Sequence, residues 1–494
     1  ALRAADMVAF LLASVVSALA GEAQHPFMLW TKDEAARLRR QVETEAWAKE
    51  GYQRASADLA AGSGGAGPSA YLLPLFRYGV LGEKTAGEEQ KTILLKEVAG
   101  ANFASVANAF RYDVLYDLLS PDERDRVRTA FTSAVKARTG WRPSYNRWNW
   151  LPNLAYGGYC RLHLLAAATG DKALIREIFN SPAGYKWYLD EYLSDLGFYN
   201  EELSKMISAE YMLPWAWAMD RLGLSELGWD YRGRQGATMR GHVDSLLRVG
   251  LPRVDLGTDL PHYPRLTMGD TRGSFGEEYF AYCFQQYNVP GALASGPTSW
   301  WNDDRGHRMR RWLEYLHAKW PDAKYDYFLA AWRAPGQDRY WVSPWFGRRP
   351  IDPKAVTPPA APSGVYPGRG IVVLRAEEGP AYWESPAPAV GMRLASPYAH
   401  HVPDSFCLMG FYAFNRPIFI NPGRTTDRYV GVDPTFSGSA RSLCTVIVDG
   451  KEPNSLLDGV TTRQDFTPSV KFAAVKSRAA DLLRLDWHSA WEIK

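Results

Sequence analysis

The pattern of apolar and polar positions changes once along the chain, near residue 350. Before this point, apolar residues recur three or four positions apart, in windows joined by short turns that contain Gly, Pro or Asp. The first window opens with Thr31, a helix-capping residue followed by acids. Helices are predicted over 31–60, 90–119, 121–138, 152–169, 171–179, 184–194, 202–222, 236–249, 276–288 and 305–319.

The connections between these windows are short, which favours antiparallel helical hairpins. Such hairpins can form a bundle, a solenoid or a closed toroid. No repeat is visible in the sequence, so periodicity leaves these three arrangements open. Residues 349–370 are rich in Pro and Gly, and they predict a linker after a helical domain over 25–348.

Beyond the linker, short runs alternate between apolar and polar residues and are separated by turn residues. The runs are IVVLRA, AYWES, SFCLMGFYAF, PIFINPG, LCTVIVDG and LLRLDWHSAWEI. They predict an antiparallel sheet or sandwich over 371–494, so the fold class is α+β with two domains. The last run reaches Lys494, and the sandwich could therefore continue past the end of this chain.

The N-terminal residues have the features of a targeting segment. Residues 7–20, MVAFLLASVVSALA, are apolar, follow Arg3 and end in Ala-Leu-Ala. This run is too short to span a bilayer and is typical of a signal peptide with a small-residue cleavage site. The alternative is a buried N-terminal helix. We predict a signal peptide over 1–20 and a secreted or periplasmic location.

Composition limits the choice of partner. Lys and Arg number 57 against 54 Asp and Glu, a formal net charge of +3. This balance argues against nucleic acid, although a local basic groove could still bind an anionic ligand. The chain contains 19 Trp and 27 Tyr, most of which core packing would explain. Aromatic faces also line sugar-binding grooves, so a carbohydrate partner remains open.

Several reaction types lack the residues they need. No GxSxG motif, no glycine-rich phosphate loop at a strand–helix junction and no HExxH motif is present. The four cysteines show neither metal-ligand spacing nor a disulfide framework. Paired acids such as Glu201-Glu202 or Asp303-Asp304 could serve a glycosidase, but adjacent acids more often mark a solvated helix start.

Two stretches are rich in Asn, His and aromatic residues: YNRWNWLPN (145–153) and SPYAHHVPDSFCLMG (396–410). Abstraction of a proton next to a carboxylate needs a neutral donor, such as Asn or His, to stabilise the enediolate. It also needs a base, such as His or a Tyr whose pKa nearby cations lower. These are the requirements of β-elimination from a uronic acid. We therefore expect the two stretches to face each other across one groove.

Five motifs follow one another along the chain: HPFMLWTKDEAARLRRQV, NRWNWLPNLAYGGYCRLHLLAAATGD, GFYNEELSKMISAEY, LTMGDTRG and AHHVPDSFCLMGFYAFNRPIFINPG followed by GSARSLCTVIVDG. In this order they resemble the heparinase II/III-like and alginate-lyase group of polysaccharide lyases. The resemblance covers most of 25–494. It implies an (α/α) toroid followed by an antiparallel β-sandwich, and cleavage of a uronic-acid-containing polysaccharide such as alginate or glucuronan.

The resemblance also implies catalytic residues. The carboxylate-neutralising Asn matches Asn146, with Asn149 as a rival because the N-x-W spacing is repeated. In the family, the catalytic Tyr comes just after the Glu-x-Ser that matches residues 202–204. The family spacing falls on Ile207 here, which is a departure from the pattern. The nearest candidates are Tyr211, which is preferred, and Tyr199. The sandwich histidine matches His400. A helix cap or turn is the structural alternative for each Asn, and a bond to Asp404 is the alternative for His400.

Other residues are implied to bind substrate. Arg side chains could hold carboxylates through paired hydrogen bonds, and Trp could stack on a sugar ring. The implied substrate-binding residues are Arg147, Trp148, Trp150, Tyr199, Glu202, Arg272, His401, Arg424 and Tyr429.

Some relatives hold a structural zinc ion in the sandwich, but here the matching positions are Val402, Asn421 and Leu443. Asn is a poor zinc ligand, and Val and Leu side chains cannot bind zinc, so no metal or other cofactor is expected. The expected partner is an unsulfated anionic polysaccharide, and no pattern indicates an oligomeric state. The alternatives are a glycoside hydrolase on a similar helical toroid and a non-catalytic carbohydrate-binding protein on a degenerate lyase scaffold.

Overall fold

The computed structural model describes the helical region and part of the following sheet. The described residues are 23–60, 69–100, 103–140, 152–182, 184–199, 209–250, 305–331, 351–366, 371–393, 407–414, 416–420, 471–476 and 481–486. The predicted signal peptide and the predicted helix 276–288 lie outside them.

The α-helices of the described residues follow one another along the chain in the order given next. They are α1 (Lys32–Thr44), α2 (Ala46–Ala60), α3 (Ser69–Gly79), α4 (Lys84–Ala99), α5 (Val106–Val114), α6 (Pro121–Thr139), α7 (Pro152–Thr169), α8 (Lys172–Asn180), α9 (Tyr185–Trp187), α10 (Ala209–Arg221), α11 (Met239–Arg248), α12 (Arg305–Lys319) and α13 (Ala323–Ala331).

Capping residues set several of the helix starts. The Thr31 hydroxyl accepts a hydrogen bond from the backbone N–H of Glu34, and the Glu34 carboxylate accepts one from the N–H of Thr31. Ser120 and Glu123 form the same capping box at the start of α6. The predicted helices 121–138, 152–169, 171–179 and 305–319 are confirmed within one residue at each end.

Three helical windows were wrong in detail. The window 31–60 is interrupted at Glu45, whose backbone is extended (φ −104°, ψ 121°), with no Gly or Pro to mark the break. The window 90–119 is divided because α4 ends before Gly100 and the Ser105 side chain caps a new helix. The window 184–194 contains α9, a π-helical turn at Tyr188–Tyr192 and the start of a β-hairpin. Helices α3 and α13 were not predicted.

The C-terminal ends of three helices meet the N-terminal segment 23–28. Asp113, in the last turn of α5, accepts hydrogen bonds from the N–H groups of Phe27 and Met28. Gly170, directly after α7, approaches so closely that an added Cβ would lie 2.7 Å from that of Ala23. Arg221, the last residue of α10, donates to the Phe27 carbonyl at 2.7 Å. Helices α5, α7 and α10 therefore run in the same direction, and their N-terminal ends lie away from this segment.

Helix α11 also runs away from this end. Lys319 at the end of α12 pairs with Asp220 in the last turn of α10, which places the end of α12 there as well. Arg240, in the first turn of α11, lies over the Trp320 ring and pairs with Asp322. The C-terminal end of α11 consequently points toward the end of the helical region where α7 and α10 begin. We call this the far end.

The C-terminal region contains an antiparallel sheet. Its strands are β3 (Gly364–Tyr366), β4 (Ile371–Arg375), β5 (Ala389–Arg393), β6 (Cys407–Ala413) and β7 (Arg416–Ile420), hydrogen-bonded in this order. The short hairpin within the helical region has strands β1 (Leu193–Ser194) and β2 (Phe198–Tyr199), while β8 (Lys471–Lys476) pairs with β9 (Asp481–Asp486). The α+β mixture is therefore confirmed.

Two expectations for the C-terminal region need correction. The run AYWES was predicted as a strand, but Pro380–Glu384 forms a 3₁₀ turn in which Tyr382 and Trp383 are both buried. Strand β3 lies inside 349–370, the segment predicted to be a linker. One buried apolar cluster extends from the helices to Ile371, Val373 and these two aromatic residues. Pro and Gly in 349–370 therefore precede and follow a strand, and the sheet shares its core with the helices.

Candidate active site at the junction of helices and sheet

Most of the site residues predicted from sequence lie outside the described residues. These are Asn146, Arg147, Trp148, Asn149, Trp150, Glu202, Arg272, His400, His401, Arg424 and Tyr429. Tyr199 is the last residue of β2, where it pairs with Leu193. Tyr211 lies in the first turn of α10, is half-buried and packs against the apolar core. The structure therefore locates the two candidate tyrosines on either side of 200–208, the segment that contains Glu202.

The hairpin β1–β2 is held against the start of α11 by two glycines. Gly197 has φ +141°, and an added Cβ would lie 2.2 Å from the carbonyl carbon of Gly241. A Cβ on Gly241 would in turn overlap the carbonyl oxygen of Leu196. Only glycine allows the two backbones to approach this closely, and its freedom at positive φ makes the hairpin turn possible. The packing fixes the strand that leads into 200–208.

A buried histidine stabilises the same contact. His242 Nδ1 lies 2.9 Å from the carbonyl oxygen of Gly197, and its Nε2 lies 2.9 Å from the Tyr188 hydroxyl. A carbonyl oxygen can only accept, so Nδ1 carries the proton and Nε2 accepts from the tyrosine. Burial lowers the pKa of His242 to about 4, which keeps the ring neutral at pH 7. His242 is thus a positioning residue for the hairpin. The sequence pattern did not single it out, because one His on a helical face has no distinctive spacing.

The sheet is attached to the end of α11 through a buried arginine. Arg375 is only 2% exposed. One Nη2 hydrogen bond reaches the Arg248 carbonyl at 2.7 Å and another reaches the Gly250 carbonyl at 3.0 Å, while Nη1 donates to Pro362. The Tyr382 hydroxyl donates to the same Gly250 carbonyl, and its ring lies 4.8 Å from the guanidinium carbon. These contacts join the sheet to the helices at the far end defined above.

The strand ends nearest the predicted histidines lie in one row across the sheet. Tyr366 pairs with Ile371, Ile371 with Arg393, and Arg393 with Cys407. Neighbouring strands are about 4.8 Å apart, so Arg393 lies roughly 10 Å from Tyr366. The chain leaves β5 at Arg393 and re-enters β6 at Cys407, and the intervening residues 394–406 include both histidines of the doublet.

The hairpin and the sheet meet at this end of the row. The Phe198 and Tyr366 rings pack with their centroids 4.5 Å apart. Burial is the main influence on the Tyr366 phenol and raises its pKa, while the cationic side chains of Arg248 and Arg375 oppose this effect. Strand β2, the end of α11 and the β3–β4 edge are therefore adjacent, in a positively charged surrounding.

The buried carboxylates of the described residues all take part in polar interactions. Asp113 accepts from His25 and backbone N–H groups, Asp190 accepts from the Tyr231 hydroxyl, and Asp244 binds Lys324 and Tyr325. Glu314 also has a polar or aromatic partner. These acids have structural partners, and none of these contacts joins two carboxylates as a hydrolytic pair.

Within the same described segments, no group of three or more His, Cys, Asp and Glu side chains could hold a metal ion. The positions that match the zinc ligands of the resembled family, Val402, Asn421 and Leu443, lie outside those segments. None of the helices that the structure describes combines the length and apolar character needed to cross a membrane.

The helical region followed by an antiparallel sheet defines an α+β protein. Its candidate site is the junction of α11, the β1–β2 hairpin and strand β3. No family model matches this chain, and no curated protein matches it significantly.

Proposed function

We propose that this protein is a polysaccharide lyase that cleaves a uronic-acid-containing polysaccharide, such as alginate or glucuronan, by β-elimination. The main observation that supports this proposal is that α7 and α10 run in the same direction, with the C-terminal ends of both helices in contact with residues 23–28. The segments that precede these helices, 141–151 and 200–208, contain Asn146, Asn149 and Glu202. Helices α7 and α10, which these segments precede in the sequence, therefore begin at the far end, where the sheet is attached through Arg375.

The sheet supports the same assignment. The ends of β5 and β6 that bracket His400 and His401 lie in one row with Tyr366, which packs on the hairpin strand before 200–208. Helix α7 has 18 residues and is roughly 27 Å long, so its N-terminal end is well separated from residues 23–28. In this proposal, a groove at the far end has the Asn-rich stretch 145–153 on one side and the His-rich stretch 396–410 on the other. In this proposal the helices close into an (α/α) toroid and the sheet belongs to a β-sandwich.

In the proposed reaction, Asn146 or Asn149 and His400 donate hydrogen bonds to the substrate carboxyl group. These bonds stabilise the enediolate that forms when the C5 proton leaves. Tyr211, or a histidine of the doublet, takes this proton, and a proton returns to the glycosidic oxygen as its bond to C4 breaks. The products are a new sugar hydroxyl and a C4–C5 double bond conjugated to the carboxylate. No redox partner is required.

The proposed substrate is a polymer met outside the cytoplasm, and the signal peptide predicted over residues 1–20 fits a secreted or periplasmic enzyme. The other two functions considered from sequence, hydrolysis and binding without turnover, are outcomes of the test below.

The test follows ultraviolet absorbance while the purified protein is mixed with a panel of polyuronates. A lyase produces absorbance from the conjugated double bond. We expect Asn146→Ala or Asn149→Ala, and His400→Ala, to lower kcat by about 10² to 10³, the usual cost of removing one oxyanion-stabilising donor. The matched control is Asn180→Ala, because Asn180 is exposed and its amide donates to the Arg176 carbonyl of its own helix.

Three results would contradict the proposal. New reducing ends without the absorbance would indicate hydrolysis. Saturable binding with neither signal would indicate a carbohydrate-binding protein. Equal loss of activity in the control and in the other variants would show that the changes act through stability.

A further inference from the structure

One arginine at the junction has a charge that the described residues leave unmatched. Arg248, the last residue of α11, is half-buried, and its Nη1 atom is buried without a hydrogen-bond partner. Three other arginines of the helical region pair with acids: Arg111 with Glu97, Arg221 with Glu34 and Arg240 with Asp322. A guanidinium removed from water without an acceptor is costly, so an anionic acceptor would be favourable there.

Its neighbour Arg375 does not neutralise this charge. The Arg375 guanidinium is held by three backbone carbonyls, one of which is the carbonyl of Arg248 itself. Both cations oppose the rise in the pKa of Tyr366, and Asp195 is the acid whose charge acts the other way, with the smallest effect. Two cations and one acid therefore act on the Tyr366 phenol, and the carbonyl oxygens already engage Arg375 rather than Arg248.

Tyr366 adds a hydrogen-bond donor close enough to Arg248 for the arginine's charge to act on the pKa of its phenol. Its hydroxyl lies directly over Gly364, where an added Cβ would be 2.3 Å from the oxygen. Its ring is held by Phe198, so the direction of the hydroxyl is fixed by packing. Because burial raises the pKa of this phenol, it stays protonated at neutral pH and can donate. No hydrogen bond joins this hydroxyl to another of the described residues.

We infer that Arg248 and Tyr366 form a binding site for one carboxylate of a uronate chain. A guanidinium offers two parallel N–H groups that match the two carboxylate oxygens, and the phenol adds a third donor. The site adjoins the strand ends that bracket His400 and His401, so it would hold a sugar next to the one that reacts. The inference rests on the proposed function for the identity of the ligand. Neither residue was among the substrate-binding residues predicted from sequence.

The test measures binding of a uronate disaccharide and of its carboxyl-reduced, neutral counterpart to the full chain by calorimetry. We expect Arg248→Met to weaken uronate binding at least tenfold and Arg248→Lys to weaken it less, because lysine keeps the charge but not the paired geometry. Tyr366→Phe keeps the ring against Phe198 and should weaken binding several-fold. The neutral disaccharide should bind poorly to every variant.

The matched control is Arg126→Met, since Arg126 is an exposed arginine near the start of α6, away from the sheet. It should bind like the unmodified protein. Equal affinity of Arg248→Met and the control for the uronate would overturn the inference, as would no binding of the uronate by the unmodified protein. If Arg248→Met fails to fold, the test relies on Tyr366→Phe and Arg248→Lys. Unchanged affinity of both variants for the uronate disaccharide would refute the site.

A parallel ultraviolet assay separates this inference from the proposed function. Uronate binding that depends on Arg248, without any double-bond formation, would keep the site and refute the lyase. Elimination with an unchanged KM in Arg248→Met would keep the lyase and refute the site. If both hold, Arg248→Met should raise KM more than it lowers kcat, since the residue binds a sugar that does not react.

Discussion

Replacing Gly197 by Ala tests whether the hairpin is held on α11 by close backbone contact. The new Cβ would lie 2.2 Å from the carbonyl carbon of Gly241 and 2.3 Å from the His242 nitrogen, and neither backbone atom can rotate away. The turn must therefore move, which breaks the hydrogen bond between the His242 ring and the Gly197 carbonyl. An unfavourable φ costs about 1–3 kcal/mol, and a buried donor left without an acceptor costs about 1–3 kcal/mol.

The expected loss in the free energy of unfolding is therefore about 4 kcal/mol, measured by urea denaturation followed through tryptophan fluorescence. Gly223→Ala is the matched control. Gly223 also has positive φ (+68°), but an added Cβ would meet nothing within 4 Å. It should cost only the backbone strain, about 1–2 kcal/mol. Both changes reduce the entropy of the unfolded chain equally, so this effect cancels in the comparison.

Equal stabilities of the two variants would refute the close-contact reasoning. If the proposed lyase activity is present, Gly197→Ala should also lower it more than Gly223→Ala does. A displaced hairpin moves Tyr199, the residue that directly precedes 200–208 and its Glu202 in the sequence.

The remaining predictions concern the junction and its buried histidine. Burial lowers the pKa of His242 from 6.5 to about 4, so between these pH values the unfolded state binds a proton that the folded state does not. The free energy of unfolding should therefore fall by about 3 kcal/mol as pH drops from 6.5 to about 4. The variant His242→Gln should flatten this pH dependence when urea denaturation is measured at several pH values. Arg375→Met leaves the Pro362 and Arg248 carbonyls without their donor, while Gly250 keeps the Tyr382 hydroxyl, and it should cost roughly 3–5 kcal/mol in the same measurement. Gly364→Ala should displace the Tyr366 ring and weaken uronate binding in calorimetry without changing net charge; unchanged affinity would contradict the assigned position of the hydroxyl.

Helix positions were predicted best where a cap and a regular apolar spacing agree. Asp171 accepts hydrogen bonds from the N–H groups of Ala173 and Leu174, and the helix it begins ends at Asn180, one residue beyond the predicted end. The break at Glu45 could not be predicted, because no residue type there opposes a helix. The strand prediction for AYWES was wrong because a short apolar run can bury its side chains equally well in a 3₁₀ turn.

The candidate site shows the same division. The Asn, His and Tyr residues of the sequence motifs suggested the chemistry. Their catalytic roles remain predictions, and the Asn and His candidates lie outside the described segments. Arg248 and Tyr366 could not be found in the same way, because they lie 118 positions apart and neither has a motif. Their common location depends on the Arg375 hydrogen bonds and on the packing of Phe198 against β3.

Local apolar spacing and helix caps were enough to predict the order of element types along the chain, helices first and antiparallel strands after, because each acts within one turn or one strand. They could not predict which ends of those elements meet, because that depends on contacts between distant segments. Residues 23–28 collect the C-terminal ends of α5, α7 and α10, and Arg375 joins the sheet to the end of α11. Such contacts link residues between 86 and 194 positions apart, and their energy depends on three-dimensional geometry that no local pattern encodes.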